Sequence, residues 1–206
     1  MSTRGAWGFY DGKDVHKVTY NHSDSYPDWL GNQMVTFLKK FSLVEIMIMF
    51  DDILMVDERD CPKPKDPALL KFIKRANGEV KKLLQPPPAN FGSGKKDWYW
   101  LLRNFQSDIE FTCKLGIMID SFKFLSDGLF CEWAYIINLK DESLEFYNGF
   151  HKLYPPGRYA KIWKGKRPYV GADMYYPVGL IISVPIKDLP EKITKDSMPE
   201  LYEEDE

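Results

Sequence analysis

Small or polar residues alternate with apolar ones over residues 3–10 (TRGAWGFY), meet Asp11-Gly12, and alternate again over 15–21 (VHKVTYN). A period of two broken by Asp-Gly predicts an N-terminal β-hairpin. A loop follows over residues 22–31, held by Pro27 and closed by Gly31. Met34, Phe37, Leu38 and Phe41 then recur at helical spacing. Ser42 and Glu45 form a capping-box pattern ahead of an apolar run over residues 46–56. That run is apolar nearly all round, which predicts a central element and leaves helix or strand open.

Asp66-Pro67 predicts a helix start with Leu69, Leu70, Ile73, Ala76, Val80 and Leu84 on one face, stopped by the prolines at 86–88. Trp98, Leu101, Leu102 and Phe105 mark a further helix. Residues 129–139 (LFCEWAYIINL) and 144–150 (LEFYNGF) read as two strands joined by a turn. Residues 179–186 read as a last strand, with Pro185 placing it at an edge. Strands at both ends with helices between predict an α+β fold: an antiparallel sheet built from N-terminal and C-terminal hairpins and packed on a central helical segment. We expect one domain over residues 1–186 and a solvated, acidic tail over 187–206.

Composition narrows the function classes. A chain of 206 residues buries a sizeable core without metals or disulfides. The net charge of −2 excludes whole-molecule electrostatic binding of nucleic acid, so any such role needs a local patch. Cys61, Cys113 and Cys131 are widely spaced, with no C-x-x-C pairing, and read as free thiols in a reducing compartment. His16, His22 and His151 form no helical ligand pair, so neither a metal site nor a cofactor is expected. The most apolar stretch, residues 43–50, falls far short of the ~20 residues needed to span a bilayer. The expected location is cytoplasmic, or nuclear in a eukaryotic host.

The densest polar chemistry lies after the second strand, in YNHSDSYPDWLG over residues 20–31. Loops after strands commonly display binding or catalytic groups. Asn21, His22, Asp24, Ser25 and Tyr26 are the candidate residues there, although Asp24 and Ser25 equally suit local turns. The combination of TRGAWGF, this loop and CEWAYIINLKDESLEFY resembles an uncharacterised protein family found in cellular and viral genomes. That family carries a TRG-type opening strand, a Y-N-x-x-D-S-Y-P-x-x-L-G loop and a C-E-W-x-Y strand.

The opening hairpin is also similar to that of NRDE-type N-terminal-nucleophile hydrolases. That likeness implies Ser2 as nucleophile after Met1 removal, acting on an amide-type bond. A free α-amine titrates at ~7.7–8.0 and is able to take the hydroxyl proton. In this scheme Arg4 orients the substrate, Asn21 supplies an oxyanion donor and Asp24 positions the amine. The first acid of the N-H-S-D stretch comes one residue later than in N-R-D-E, and the group favours Cys where this chain has Ser2.

A second candidate is the segment over residues 151–169, which holds six Lys or Arg and no acid. Arg158, Lys161, Lys164, Lys166 and Arg167 interleave with aromatics including Trp163, a pattern that suits a phosphate-bearing ligand or single-stranded nucleic acid. It suits an exposed connector equally well. Two classes stay open: a non-enzymatic protein binding a small molecule or macromolecule, or the Ser2 hydrolase.

Overall fold

A computed structural model describes residues 3–22, 24–76, 78, 97–164 and 175–202. Its framework is α+β, with a five-stranded sheet and a separate two-stranded one. Strands β1 (Gly5–Tyr10) and β2 (His16–Asn21) form the first hairpin. The Asp11 carboxylate accepts from the Lys13 and Val15 amides at 2.8 and 3.0 Å and so shapes the turn.

Strands β3 (Leu54–Val56) and β4 (Ile117–Ile119) pair parallel as the small sheet. Strands β5 (Trp133–Asn138) and β6 (Ser143–Asn148) make the second hairpin, and β7 (Gly179–Pro185) adds the edge. Pro185 ends β7, as an edge strand permits.

The large sheet runs β2-β1-β5-β6-β7. The predicted sheet of N-terminal and C-terminal hairpins is present and mostly antiparallel, with one parallel joint where β1 pairs β5, from Gly5 opposite Trp133 to Tyr10 opposite Asn138. Parallel neighbours need a long crossover, and the helical middle of the chain supplies it.

Alternation along the central strands sorts two cores. Trp7, Phe9, Tyr135, Ile137, Leu144 and Phe146 point to one face. There they meet helices α1 (Asn32–Lys40), α2 (Leu43–Asp52) and the later helix over Ile109–Leu115. Ala6, Val18, Ala134, Ile136 and Tyr147 point to the other face, beneath the short helix over Arg158–Ile162 and the turn over Phe122–Ser126.

A third cluster joins β3 and β4 to α3 (Pro67–Arg75) and α4 (Trp98–Leu102) through Phe72, Trp98, Leu101 and Ile119. The helices over Ile109–Leu115 and Arg158–Ile162 are α5 and α6.

Local signals in the sequence are met where a partner is near. Ser42 and Glu45 complete the capping box, with the Ser42 amide 2.8 Å from the Glu45 carboxylate. Asp66 caps α3 through the Ala68 amide at 2.9 Å.

Other expectations are corrected. The run over residues 46–56 is helix through Asp52 and strand from Leu54, and α2 is peripheral: Ile46 and Phe50 turn inward while Val44 and Ile48 are over 60% exposed. On α3 the buried face is Ala68, Phe72 and Ala76, and Leu70 and Ile73 face outward. The expected helix beyond residue 78 lies outside the described residues.

The segment after Lys187 packs through Tyr202. Leu189, Ile193, Met198 and Leu201 are buried in the main core, and Asn32 holds the Ile193 backbone with its side-chain amide. Its polar composition masked these four anchors. Cys113 and Cys131 are buried and Cys61 is exposed, all free.

Candidate functional site

The loop after β2 is locked from within. The Asn21 side-chain amide donates to the Ser25 hydroxyl at 2.8 Å, and both residues are fully buried. The Tyr135 phenol donates to the Ser25 carbonyl at 2.8 Å. Asp24 takes a left-handed conformation at φ 46° and is exposed, which suits a tight turn. Tyr26 is 49% exposed, and its carbonyl accepts from Trp29 and Gly31 as the chain enters a π-helical turn over Pro27–Gly31. Gly5 makes this seat: a Cβ there would stand 2.5 Å from Ser25 Cβ and from the Trp133 carbonyl.

Of the loop's residues, His22 reaches a concave site. It borders a cleft of about 530 Å³, a size suited to a small molecule, together with Tyr20, Tyr99, Gln106 and Phe124. Tyr20 and Tyr99 both pack in T-shaped fashion with the imidazole, with centroids 4.6 and 5.6 Å away. Burial first, and then Arg103, holds the His22 imidazole below its ordinary pKa, while Glu58 opposes this. His22 is therefore neutral at pH 7. Burial likewise raises the Tyr20 phenol, so it stays protonated.

The opposite wall comes from the C-terminal ends of the parallel pair. β3 runs into Asp57-Glu58-Arg59 and β4 into Asp120-Ser121, all of which line the cleft with Lys123. One Asp57 oxygen accepts from the Arg59 amide at 2.9 Å, and one Asp120 oxygen accepts from the Phe122 amide at 3.0 Å. Each turn fixes its carboxylate and leaves the second oxygen for other contacts. The Ser121 amide ties this wall to β2 through the Val18 carbonyl at 2.8 Å. The Tyr99 amide ties α4 to it through the Glu58 carbonyl at 2.9 Å.

Gln106 is only 4% exposed. Its backbone carbonyl accepts from the Trp7 indole at 2.6 Å, but its side-chain oxygen has no hydrogen-bond partner among the described residues.

The other predicted site residues lie elsewhere or outside the described chain. Ser2, Lys166 and Arg167 lie outside it. Arg4 is exposed, with its guanidinium 5.1 Å from the Phe130 ring centre and its amide on Glu132.

Arg158 is drawn inward on α6. It pairs with the buried Glu145 carboxylate and stacks 3.8 Å from the Tyr10 ring centre. Asn138 and Tyr147 each donate to Glu145 at 2.8 Å. His16 is stacked between Tyr10 and Phe122 beside this pair, and burial followed by the Arg158 charge brings its pKa down to about 4. Trp163 packs on Phe122, Lys161 is exposed, and Lys164 lies over Tyr154.

His16 and His22 sit at opposite ends of β2, roughly 20 Å apart at ~3.3 Å per residue. The two candidate regions therefore do not form one site.

Among the described residues no group of His, Cys, Asp or Glu is arranged to hold a metal, and no helix is long and apolar enough to cross a membrane. A shallower, more apolar groove of about 610 Å³ lies between α1 and the start of α5, lined by Trp29 and Phe37.

Of the cleft, the sequence singled out His22 alone. Asp57, Glu58, Tyr99, Gln106 and Asp120 come from separate segments with no motif spacing. No protein-family model, curated protein or solved structure matches the chain. The site is therefore read from its own geometry.

Proposed function

We propose that the protein is a non-enzymatic ligand-binding domain whose site is the cleft at the end of β2. The observation that carries this reading is convergence. Side chains from β2, the turns after β3 and β4, α4 and the Gln106 segment meet at one concavity of ligand size. The buried Asn21–Ser25 and Tyr135–Ser25 hydrogen bonds hold the chain on either side of His22 and so serve this site. The family resemblance rests on residues 3–9, 20–31 and 131–147, and these three segments meet where Gly5 approaches Ser25 and the Trp133 carbonyl.

The Ser2 hydrolase is the second reading. The pairing of Gly5 with Asn21 favours it, since it sets the start of the described chain beside the loop. Against it, the Asn21 amide already serves Ser25.

Native mass spectrometry of gently purified protein separates the two. Wild type and Ser2→Ala are expected to carry the same small-molecule mass, and Ser121→Trp, which fills the cleft, to lose it. Loss of the mass in Ser2→Ala with retention in Ser121→Trp would transfer the function to the N-terminus. Retained Met1 would remove the nucleophile altogether.

A further inference from the structure

We infer that the fold encloses one ordered water molecule where the two sheets meet, held by Thr19, Gln106 and Thr112. The site lies inside the protein and stands independently of the cleft as a binding site. Thr19, on β2, is fully buried, and Gln106 is 4% exposed. The Thr19 hydroxyl and the Gln106 side-chain oxygen are both closed to solvent, and neither has a hydrogen-bond partner among the described residues. Buried polar groups are nearly always satisfied, by protein or by ordered water, so two left over in one neighbourhood need an explanation.

One space serves both. Thr19, Gln106 and Thr112 border an interior void together with Leu102, Leu115 and Met118. Thr19 stands opposite Trp7 in the first hairpin, and the Trp7 indole donates to the Gln106 carbonyl at 2.6 Å. Paired residues share a face of the sheet, so this bond sets the Gln106 segment over Thr19. Gln106 also borders the cleft, but its side-chain oxygen is closed to solvent, so the open cleft does not serve it.

The size and the chemistry of the void agree. The centre of a water molecule has about 10 Å³ of room there, which admits one water and nothing larger. A void of this size takes water when it offers about 2–4 polar partners, and stays dry when its walls are apolar. The Thr112 hydroxyl already donates to the Phe105 carbonyl at 2.7 Å, so its oxygen is left to accept. The Thr19 hydroxyl donates to the water, and the water donates to the Gln106 and Thr112 oxygens. That makes about three hydrogen bonds, the usual complement of a buried water. It satisfies both orphaned atoms and ties β2 to α5 and to the segment after α4.

Thermal unfolding of the full chain tests this by the sign of the effect. Thr19→Val keeps the shape of the side chain and removes its hydroxyl. With the water in place, one hydrogen bond is lost, so the melting temperature should fall by about 2–4 °C. In a dry void the same change removes an unsatisfied group, and the melting temperature would rise. A rise would overturn the proposal. Gln106→Leu should also lower the melting temperature. Thr19→Val combined with Gln106→Leu should cost less than the sum of the two, because neither orphan then remains. Additive losses would overturn the shared water.

A crystal structure of the full chain, at a resolution that shows ordered solvent, gives the direct view. The expected result is one water within hydrogen-bond distance of Thr19 Oγ1 and Gln106 Oε1. A void without density, or a direct bond between Thr19 and Gln106, would overturn it.

Discussion

Replacing Arg158 by methionine is expected to lower stability by about 3–5 kcal/mol, the usual consequence of stranding one member of a buried ion pair. Glu145 is only 3% exposed and would keep the Asn138 and Tyr147 donors but lose its cation. Methionine preserves much of the apolar stem that covers Tyr10, so the loss reports the charge and not the packing. Removing both charges, with Glu145→Met added, should recover most of the deficit, because no uncompensated carboxylate then remains. Urea unfolding of the two single variants and the double variant measures this. A cost below 1 kcal/mol for Arg158→Met would mean that Arg158 is free to serve a ligand, as the basic segment suggested.

The second large effect is expected at Gly5. A methyl group there meets Ser25 Cβ and the Trp133 carbonyl, both at 2.5 Å. Neither neighbour yields easily: the Trp133 carbonyl belongs to β5, and Ser25 is held by Asn21 and Tyr135. Overpacking of this kind costs about 1–3 kcal/mol, and Gly5→Ala should fall at the upper end. Because the loop must move off its seat, His22 should move too, so ligand affinity and stability should fall together. Ser25→Gly added to Gly5→Ala should recover part of both by removing one of the two clashes. Equilibrium unfolding and titration on the same samples read the pair of effects.

Signals that act over a few residues translated directly: Asp11-Gly12 into the first turn, Ser42 and Glu45 into a capping box, Asp66-Pro67 into the start of α3. Each places donor and acceptor within one turn, so no distant partner decides the outcome. Where a distant partner decides, periodicity misled. The apolar run around α2 suggested a central element, yet the core covers one side of it and leaves Val44 and Ile48 outside. The segment over residues 187–202 looked solvated because four buried residues are diluted among charges.

The parallel joint between β1 and β5 left no local trace, since either orientation buries the same alternating side chains. The cleft was hidden for a related reason. Asp57 and Asp120 belong to no motif, and each holds a local turn through a backbone amide. Only the parallel pairing of β3 with β4 sets them on one wall, facing His22. The polar loop was found, but most of its polarity stabilises itself: Asn21 and Ser25 face each other in the interior, and Tyr26 and Asp24 face outward.

The central claim is that ligands enter the cleft at the end of β2. Its most direct test is amide-resonance mapping of the whole chain with a cocktail of small polar fragments. The account predicts shifts that cluster on His22, Asp57, Tyr99, Gln106 and Ser121. Shifts centred instead on Trp29 and Thr36 in the groove beside α1, or on Lys161 and Lys164, with the cleft resonances unmoved, would contradict it.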